Sequence, residues 1–425
     1  MDNYTFLSPI SSPRVIVLLL LLSISSCALS PCGYYVANIP SEIDDASFFK
    51  NGLLTIITSD GQQFVIDTSG RYVFDYILDA DNRIGYIIDK SSYTLLLVND
   101  SGTPISDIHY DRIFGFDQGY AVVEINGKEG LIDIDGKYII DPTYDAVSFF
   151  YNWPVPAKQN GKWGFLDSVG NIIIPFVYDD VKRFSCGVAA VRRSDKWGFI
   201  DSTGNLVIDY QYDMDNRFEP MGYPYIANNG RIIAIQGNKC GLIDTEGNVV
   251  LPFAADDILL DGNGVILIYN DFANESIYYL TDREGSWISS PYSFIANVSD
   301  SLYCVNAKGH YGLLKLGAGM ISPAIYDYID DNCRSGLIRV EKDGKYGFVD
   351  YLGRIVIPIS YDWLGRFNEG LCAFIKRKQC GYMDEQGKQI IRMKGYYDYL
   401  NEFHEGYAKV RKDINQPCYF IRRKQ

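Results

Sequence analysis

One phrase returns along the chain. It reads GKWGFLDSVGNIIIPFVYDD at 161–180, DKWGFIDSTGNLVIDYQYDM at 195–214 and GKYGFVDYLGRIVIPISYDW at 344–363. Its aromatic–glycine pairs are Trp163-Gly164, Trp197-Gly198 and Tyr346-Gly347, and looser copies put Glu129-Gly130, Cys240-Gly241, Tyr311-Gly312 and Cys380-Gly381 in the same slot. A fixed period of about 34 residues marks a repeat architecture, in which a small unit buries its apolar faces only against its neighbours. Residues spent on making like units leave few for a unique catalytic constellation.

Taken apart, the unit is a string of short strands. Ile173-Ile174-Pro175 is followed by Tyr178-Asp179-Asp180-Val181, then by Val188 to Arg192 after Gly187, then by Trp197 to Asp201, and the turn Ser202-Thr203-Gly204-Asn205 leads into Leu206-Val207-Ile208. Each run is short, rich in β-branched and aromatic residues, and bounded by Gly, Asp, Asn or Ser, with no helical period anywhere. The chain is therefore expected to be all-β. Gly187 stands eleven residues before Gly198, and the same spacing joins Gly119 to Gly130, Gly230 to Gly241, Gly336 to Gly347 and Gly370 to Gly381. Followed through weaker copies, it predicts eleven hairpins starting near residues 52, 85, 119, 153, 187, 230, 264, 301, 336, 370 and 406. The extra residues Glu219-Pro220-Met221-Gly222-Tyr223-Pro224 read as a protruding loop.

Register adds a clue about the ends. The run Val36 to Pro40 is the strand that elsewhere follows the Asp-x-x-Gly turn, and Tyr419-Phe420-Ile421 is the strand that elsewhere precedes it. The first strand is thus the piece the last unit lacks. This is similar to β-propellers of the WD-repeat kind, where the first strand completes the last blade. The expected fold is a propeller-like array of about eleven small antiparallel sheets over 36–421. Propellers typically hold about four to eight blades, and the same register also fits an open β-solenoid or superhelix, or two smaller propellers.

Together, the G-K-W-G-F-I-D-x-x-G turn, the V-I-P run, the Tyr-Asp pair and the G-x-A-x-V strand resemble the bacterial WG-repeat family, over nearly all of 36–421. The resemblance implies an all-β repeat domain, often on a secreted or envelope protein. It implies no established enzymatic activity, so no catalytic residues carry over.

The N-terminus reads as an address. Val15 to Ile24 is an apolar run of ten residues preceded by Arg14, which suits a signal-peptide core and falls short of the roughly 20 residues of a membrane span. Ile24-Ser25-Ser26-Cys27 resembles a lipoprotein lipobox. That likeness implies a signal peptide at 1–26, lipid on Cys27, a short tether at 27–35 and a place in the bacterial cell envelope. An ordinary signal peptide cut near Ala28 is the alternative. A net charge of −14 gives no electrostatic footprint for nucleic acid, and Arg422-Arg423-Lys424 is too small a cluster to change that. Eight further cysteines permit disulfides in an oxidising compartment. Cys240 and Cys380, in the aromatic slot, and Cys372, on an apolar face, read instead as small buried hydrophobes.

Each recurrent side chain has a structural and a functional reading. The aromatic–glycine pair could make sugar-stacking ledges, but its recurrence favours packing between units, with the glycine admitting a close backbone. The Asp of Tyr110-Asp111, Tyr144-Asp145, Tyr178-Asp179, Tyr212-Asp213, Tyr326-Asp327, Tyr361-Asp362 and Tyr397-Asp398 could ring a calcium site, but one Asp per unit at fixed pitch reads as a turn residue. Asp133, Asp167, Asp201, Asp244, Asp350 and Asp384 open the Asp-x-x-Gly turns. The three histidines, His109, His310 and His404, fall in unrelated slots. Asp256-Asp257 and Asp330-Asp331 read as solvated turn residues rather than a glycosidase pair. We expect no catalytic residue, metal or cofactor. Binding is expected on residues that break the pattern: Trp153, Trp287 and Trp363, and Tyr223 and Tyr225 near the insertion. The function expected is a binding or scaffolding module for an envelope protein or a glycan, with a carboxylate-dependent glycan-active enzyme as its rival.

Overall fold

The computed structural model describes residues 34–38, 43–46, 52–58, 63–67, 72–79, 82–89, 92–149, 152–215, 224–261, 264–270, 276–299, 301–330, 333, 335–393, 395, 397–412 and 419–423. The signal segment, Cys27 and Tyr223 lie outside the described residues, as does nearly all of the expected loop.

Every regular element among the described residues is a strand, and the strands form eleven antiparallel sheets. Sheet 5 shows the pattern: Asp180–Val181, Val188–Arg193, Lys196–Asp201 and Leu206–Asp213, paired in that order. Numbered in order along the chain, sheet 1 lies within 43–74 and sheet 4 within 146–178, and sheets 6 (231–255) and 7 (257–282) have three strands each. In sheet 6 the first strand is replaced by Tyr225, whose N–H donates to the Ile233 carbonyl at 2.9 Å and whose hydroxyl donates to the Asp213 carbonyl.

The core lies between sheets. Phe165, Ile174 and Tyr178 of sheet 4 meet Val181, Ala189, Val191 and Ile200 of sheet 5 in one buried cluster. Val188, Ala190, Trp197 and Phe199 look the other way, onto Ile232, Ala234 and Ile243 of sheet 6. The middle strands are covered on both faces, which is why Val188-Ala189-Ala190-Val191 is a continuous apolar run instead of an alternating one. The cysteines at 186, 240, 304, 333, 372 and 380 are free thiols, and four of them are buried in these layers. The fourth strands, by contrast, expose aliphatic pairs such as Ile172-Ile173, Leu206-Val207 and Ile355-Val356.

The repeat's glycine and proline explain each other. In sheet 4, Trp163 pairs with Tyr178 but Phe165 pairs with Ile174, so the fourth strand carries extra residues opposite Gly164. A Cβ on Gly164 would stand 2.5 Å from the Ile174 carbonyl oxygen, and on Gly347 2.7 Å from that of Ile357. Pro175 and Pro358 sit in the bulged stretch, where a ladder donor is dispensable. The glycine therefore admits the next strand of its own sheet. The aromatic beside it packs toward the next sheet, as Trp197 does by stacking on Tyr225 at 5.1 Å.

The recurrent aspartates are turn and clasp residues. The Asp201 carboxylate accepts from the Thr203 hydroxyl and the Thr203 and Asn205 N–H groups. Asp145 accepts from Lys128 at 2.6 Å and from Gly161 N–H of the next sheet at 3.0 Å. Lys162, Asp179 and Ser194 N–H repeat that clasp one unit on, and Lys196, Asp213 and Gly237 N–H repeat it again. Exposed ion pairs of this kind contribute little singly, but they share a pH dependence. The Thr203 hydroxyl and Asn205 N–H pull the Asp201 carboxyl down to about 2, the Val169 N–H lowers that of Asp167, and Lys128, Lys162, Lys196 and Lys345 lower those of Asp145, Asp179, Asp213 and Asp362. A carboxyl held low in the folded state supplies stability that is full above its unfolded pKa and is lost as pH falls through its folded one. The melting temperature is expected to hold down to about pH 4 and to fall steeply from there toward pH 2. A flat calorimetric profile across that window would remove these aspartates from the stability of the fold.

The array closes. Tyr34–Asn38 pairs antiparallel with Tyr419–Arg423 and completes sheet 11, which otherwise consists of Tyr399–Leu400, Tyr407–Arg411 and Tyr419–Arg423. A second link crosses the same junction. The Glu369 carboxylate of sheet 10 accepts from the Glu405 and Gly406 N–H groups of sheet 11, and the Glu405 carboxylate accepts from Gly52 N–H of sheet 1 at 2.7 Å. Buried clusters join each sheet to the next from sheet 1 to sheet 11 without a break. One ring accounts for both observations; an open superhelix or two separate rings does not.

Candidate functional site

The pattern-breaking aromatics go to different places. Tyr225 is 2% exposed and stacked on Trp197, so it offers no face to a ligand. Trp153 is half-buried, edge-on to Tyr120 at 5.9 Å. Trp287 is 58% exposed, with its ring edge-on to Tyr279 at 5.1 Å. Trp363 lines a cavity. That cavity, of about 270 Å³, is bounded by Arg339, Trp363, Gly365, Arg366, Ala373, Leu400, Asn401 and Glu402.

These residues come from sheets 9, 10 and 11. Sheet 9 comprises Tyr328–Ile329, Leu337–Lys342, Lys345–Asp350 and Ile355–Tyr361; sheet 10 comprises Trp363–Asn368, Leu371–Lys376, Gln379–Met383 and Gln389–Arg392. All lie on the first or second strand of a sheet or just past the first. Three consecutive sheets reach one small cavity only where they converge, so the first strands form the inner edge of the ring and the cavity opens there.

One departure from the repeat, Arg339, and the variable positions of sheet 10 build the cavity. Arg339 pairs across its sheet with Phe348, the register that holds Val122, Ala190, Ile233 and Ala373 in other units. Gly365 takes the slot that holds Lys182, Ser148 and Asn401 elsewhere. A Cβ there would lie 3.4 Å from Trp363 Cη2 and 3.5 Å from Ala373 Cβ. Gly365 and Ala373 thus leave the space, and Trp363 walls it.

Charge enters through a buried triad. Asp330 is 1% exposed. Its Oδ1 accepts from Arg366 Nη2 and its Oδ2 from Arg366 Nε, both at 2.9 Å, while Arg339 Nη2 approaches Oδ2 at 2.9 Å. Arg339 Nη1 donates to the Leu364 carbonyl at 2.7 Å, and its buried Nε has no hydrogen-bond partner. Asp330 raises the pKa of the Arg366 guanidinium further above its ordinary value through these hydrogen bonds. This corrects the sequence expectation for Asp330: it is a buried counter-ion, because an arginine has entered an apolar column and must be neutralised there. Asp257 departs from that expectation too, being buried with its carboxylate on the Ile258 N–H at 2.8 Å. Sequence reasoning missed Arg339 and Arg366. The available signal was the charge in a column of Val, Ala and Ile, which becomes visible once the copies are aligned strand by strand. Among the described residues, no group of three or more His, Cys, Asp and Glu could hold a metal ion.

The fold and the site define a closed, all-β ring of repeats with a charged pocket between sheets 9, 10 and 11. The chain belongs to the WG containing repeat family, whose model matches residues 97–128, 130–163, 163–197, 197–240, 311–346, 346–379 and 381–413, more than half of its length. The sheets at 43–74 and 257–282 lie outside those matches. No curated protein compared with the chain matches it. Among solved structures, it is similar to a eukaryotic initiation factor at 11% identity, covering 92% of this chain and 94% of that one with a TM-score of 0.36. It is also similar to the extracellular domain of the putative one component system BT4673 from B. thetaiotaomicron, at 11% identity, covering 89% of this chain and 64% of that one with a TM-score of 0.26.

Proposed function

We propose that this protein is a non-enzymatic binding module of the bacterial cell envelope, held to the membrane by lipid on Cys27, whose ring presents its inner-edge pocket to a glycan or to another envelope protein. The observation that carries this reading is the way the pocket is made. Small residues vacate it, a tryptophan walls it and two arginines charge it, with Arg339 standing in a column that holds Val, Ala and Ile in other units and the rest at variable positions of the repeat. The carboxylates nearby favour binding over hydrolysis. A glycosidase needs two carboxyl groups about 5–10 Å apart, one of them held protonated. Asp330 has both oxygens in ion pairs with arginine and is taken up as their buried counter-ion.

Two experiments test the proposal. A glycan panel and an envelope extract passed over the immobilised protein should give retention without release of reducing ends; turnover of any retained glycan would establish the enzymatic rival. For the anchor, Cys27→Ser should move the protein from the detergent phase to the aqueous phase, and unchanged partitioning would rule lipidation out.

A further inference from the structure

We infer that the pocket between sheets 9, 10 and 11 recognises a sugar ring that bears a carboxylate, a uronic acid residue at the end of a glycan. The inference rests on the binding-module reading and names the ligand class of the same site.

Size sets the first limit. At about 270 Å³ the cavity is just under the roughly 300 Å³ at which pockets for drug-sized ligands begin. One ring enters; an oligosaccharide extends outward from it. Shape gives the second limit. Trp363 Cη2 borders the space left open by Gly365 and Ala373, and an aromatic ring in the wall of a cavity suits the C–H groups of a pyranose. Trp363 occupies the slot held by Asp180, Ala146 and Arg112 in other units, so the repeat does not require it there.

Charge gives the third limit. Arginine is always protonated and only donates, and its planar fork matches a carboxylate. Arg366 uses Nε and Nη2 on Asp330, leaving Nη1 for a ligand, and its side chain is 38% exposed. Arg339 Nε is buried and unsatisfied. The pocket nevertheless does not favour a dianion. Asp330 offsets one of the two guanidinium charges, and Glu402 adds a carboxylate to the lining. Asp330 and Glu402 together balance the two guanidiniums, so a single carboxylate is held by the Arg366 Nη1 donor that Asp330 leaves over, and a hydroxyl of the same ring can donate to Glu402. A phosphate ester brings a second negative charge against Glu402, and a neutral sugar offers the guanidinium only hydroxyl and ring oxygens, which are weaker acceptors than a carboxylate.

The test uses the purified mature protein and four small probes: methyl β-D-glucuronide, methyl β-D-glucoside, glucose 6-phosphate and N-acetylglycine. Ligand-observed NMR titration should show the glucuronide binding roughly tenfold or more tighter than the other three, a gap of about 1.4 kcal/mol. Arg366→Ala should abolish the preference over the glucoside. Gly365→Val should abolish all binding by filling the cavity while leaving Asp330 paired, with thermal unfolding as the check that both variants fold. Glu402→Gln should narrow the gap between glucuronide and glucose 6-phosphate. Equal binding of glucoside and glucuronide would overturn the inference, as would stronger binding of N-acetylglycine, which would identify a peptide carboxyl terminus as the ligand. If Gly365→Val leaves retention on the glycan panel intact, the pocket inference fails while the binding-module reading stands.

Discussion

Replacing Asp330 with alanine is expected to lower the stability of the ring by about 3–5 kcal/mol, the usual consequence of removing one partner from a buried ion pair. The reason is specific to this site. Asp330 is the shared counter-ion of Arg339 and Arg366, from two different sheets. Without it, two guanidiniums face each other across the boundary of sheets 9 and 10. Arg339 also holds the Leu364 carbonyl and cannot swing to solvent without leaving that acceptor unsatisfied. Asp330→Asn should recover part of the loss, since it keeps an acceptor but not the charge. A triple replacement of Asp330, Arg339 and Arg366 by leucine, alanine and leucine should fall close to wild type, because removing the whole set leaves no unpaired charge. Urea unfolding of the three variants checks the order. If Asp330→Ala costs no more than an exposed pair, about 1 kcal/mol or less, the triad is not holding the two sheets together. The triple variant would also separate structure from recognition, as it should fold and lose its anion preference.

That contrast shows where the sequence was readable. The Gly187-to-Gly198 spacing and its echoes located all eleven sheets, because each glycine answers a backbone requirement: a left-handed turn at Gly187, with φ of +84°, or the bulge facing Gly198. Such requirements recur in most units and are visible as a period. The pocket is legible only as a departure from that period. Trp363 stood out because tryptophan is rare here, but Arg339 and Gly365 are ordinary residue types in wrong columns. Their significance depends on which sheet each column faces. Asp330 was misread for the same reason. It follows a Tyr-Asp slot whose acid is half-buried or exposed, and only the arginines reaching it from Leu337–Lys342 and Trp363–Asn368 make it a core residue. Tyr225 was misjudged in the opposite direction. Beside an insertion it reads as a loop aromatic, whereas it replaces the missing first strand of sheet 6 and covers Trp197.

Deletion of residues 34–38 is expected to open the ring. The segment contributes five paired positions to sheet 11, from Tyr34 opposite Arg423 to Asn38 opposite Tyr419. Net contributions of about 0.5–1.5 kcal/mol per backbone hydrogen bond make its loss a matter of several kcal/mol. The larger effect is topological. In a closed array each sheet is held from both sides, so unfolding one sheet disturbs its neighbours; in an opened one, sheets 1 and 11 become ends that fray independently. The exposed edge of Tyr419–Arg423 would also become a template for another chain. The deleted protein should therefore melt in more than one step, be cut by protease first within sheets 1 and 11, and form dimers or larger species at high concentration. A peptide spanning residues 34–38 added in trans should reverse all three changes by restoring the missing strand. The Glu405–Gly52 link is too small to close the ring alone, so it should not prevent opening. An unchanged single melting transition in the deletion variant would mean that the stacking of successive sheets, and not the completed strand, sets the stability of the array, and that closure is incidental to it.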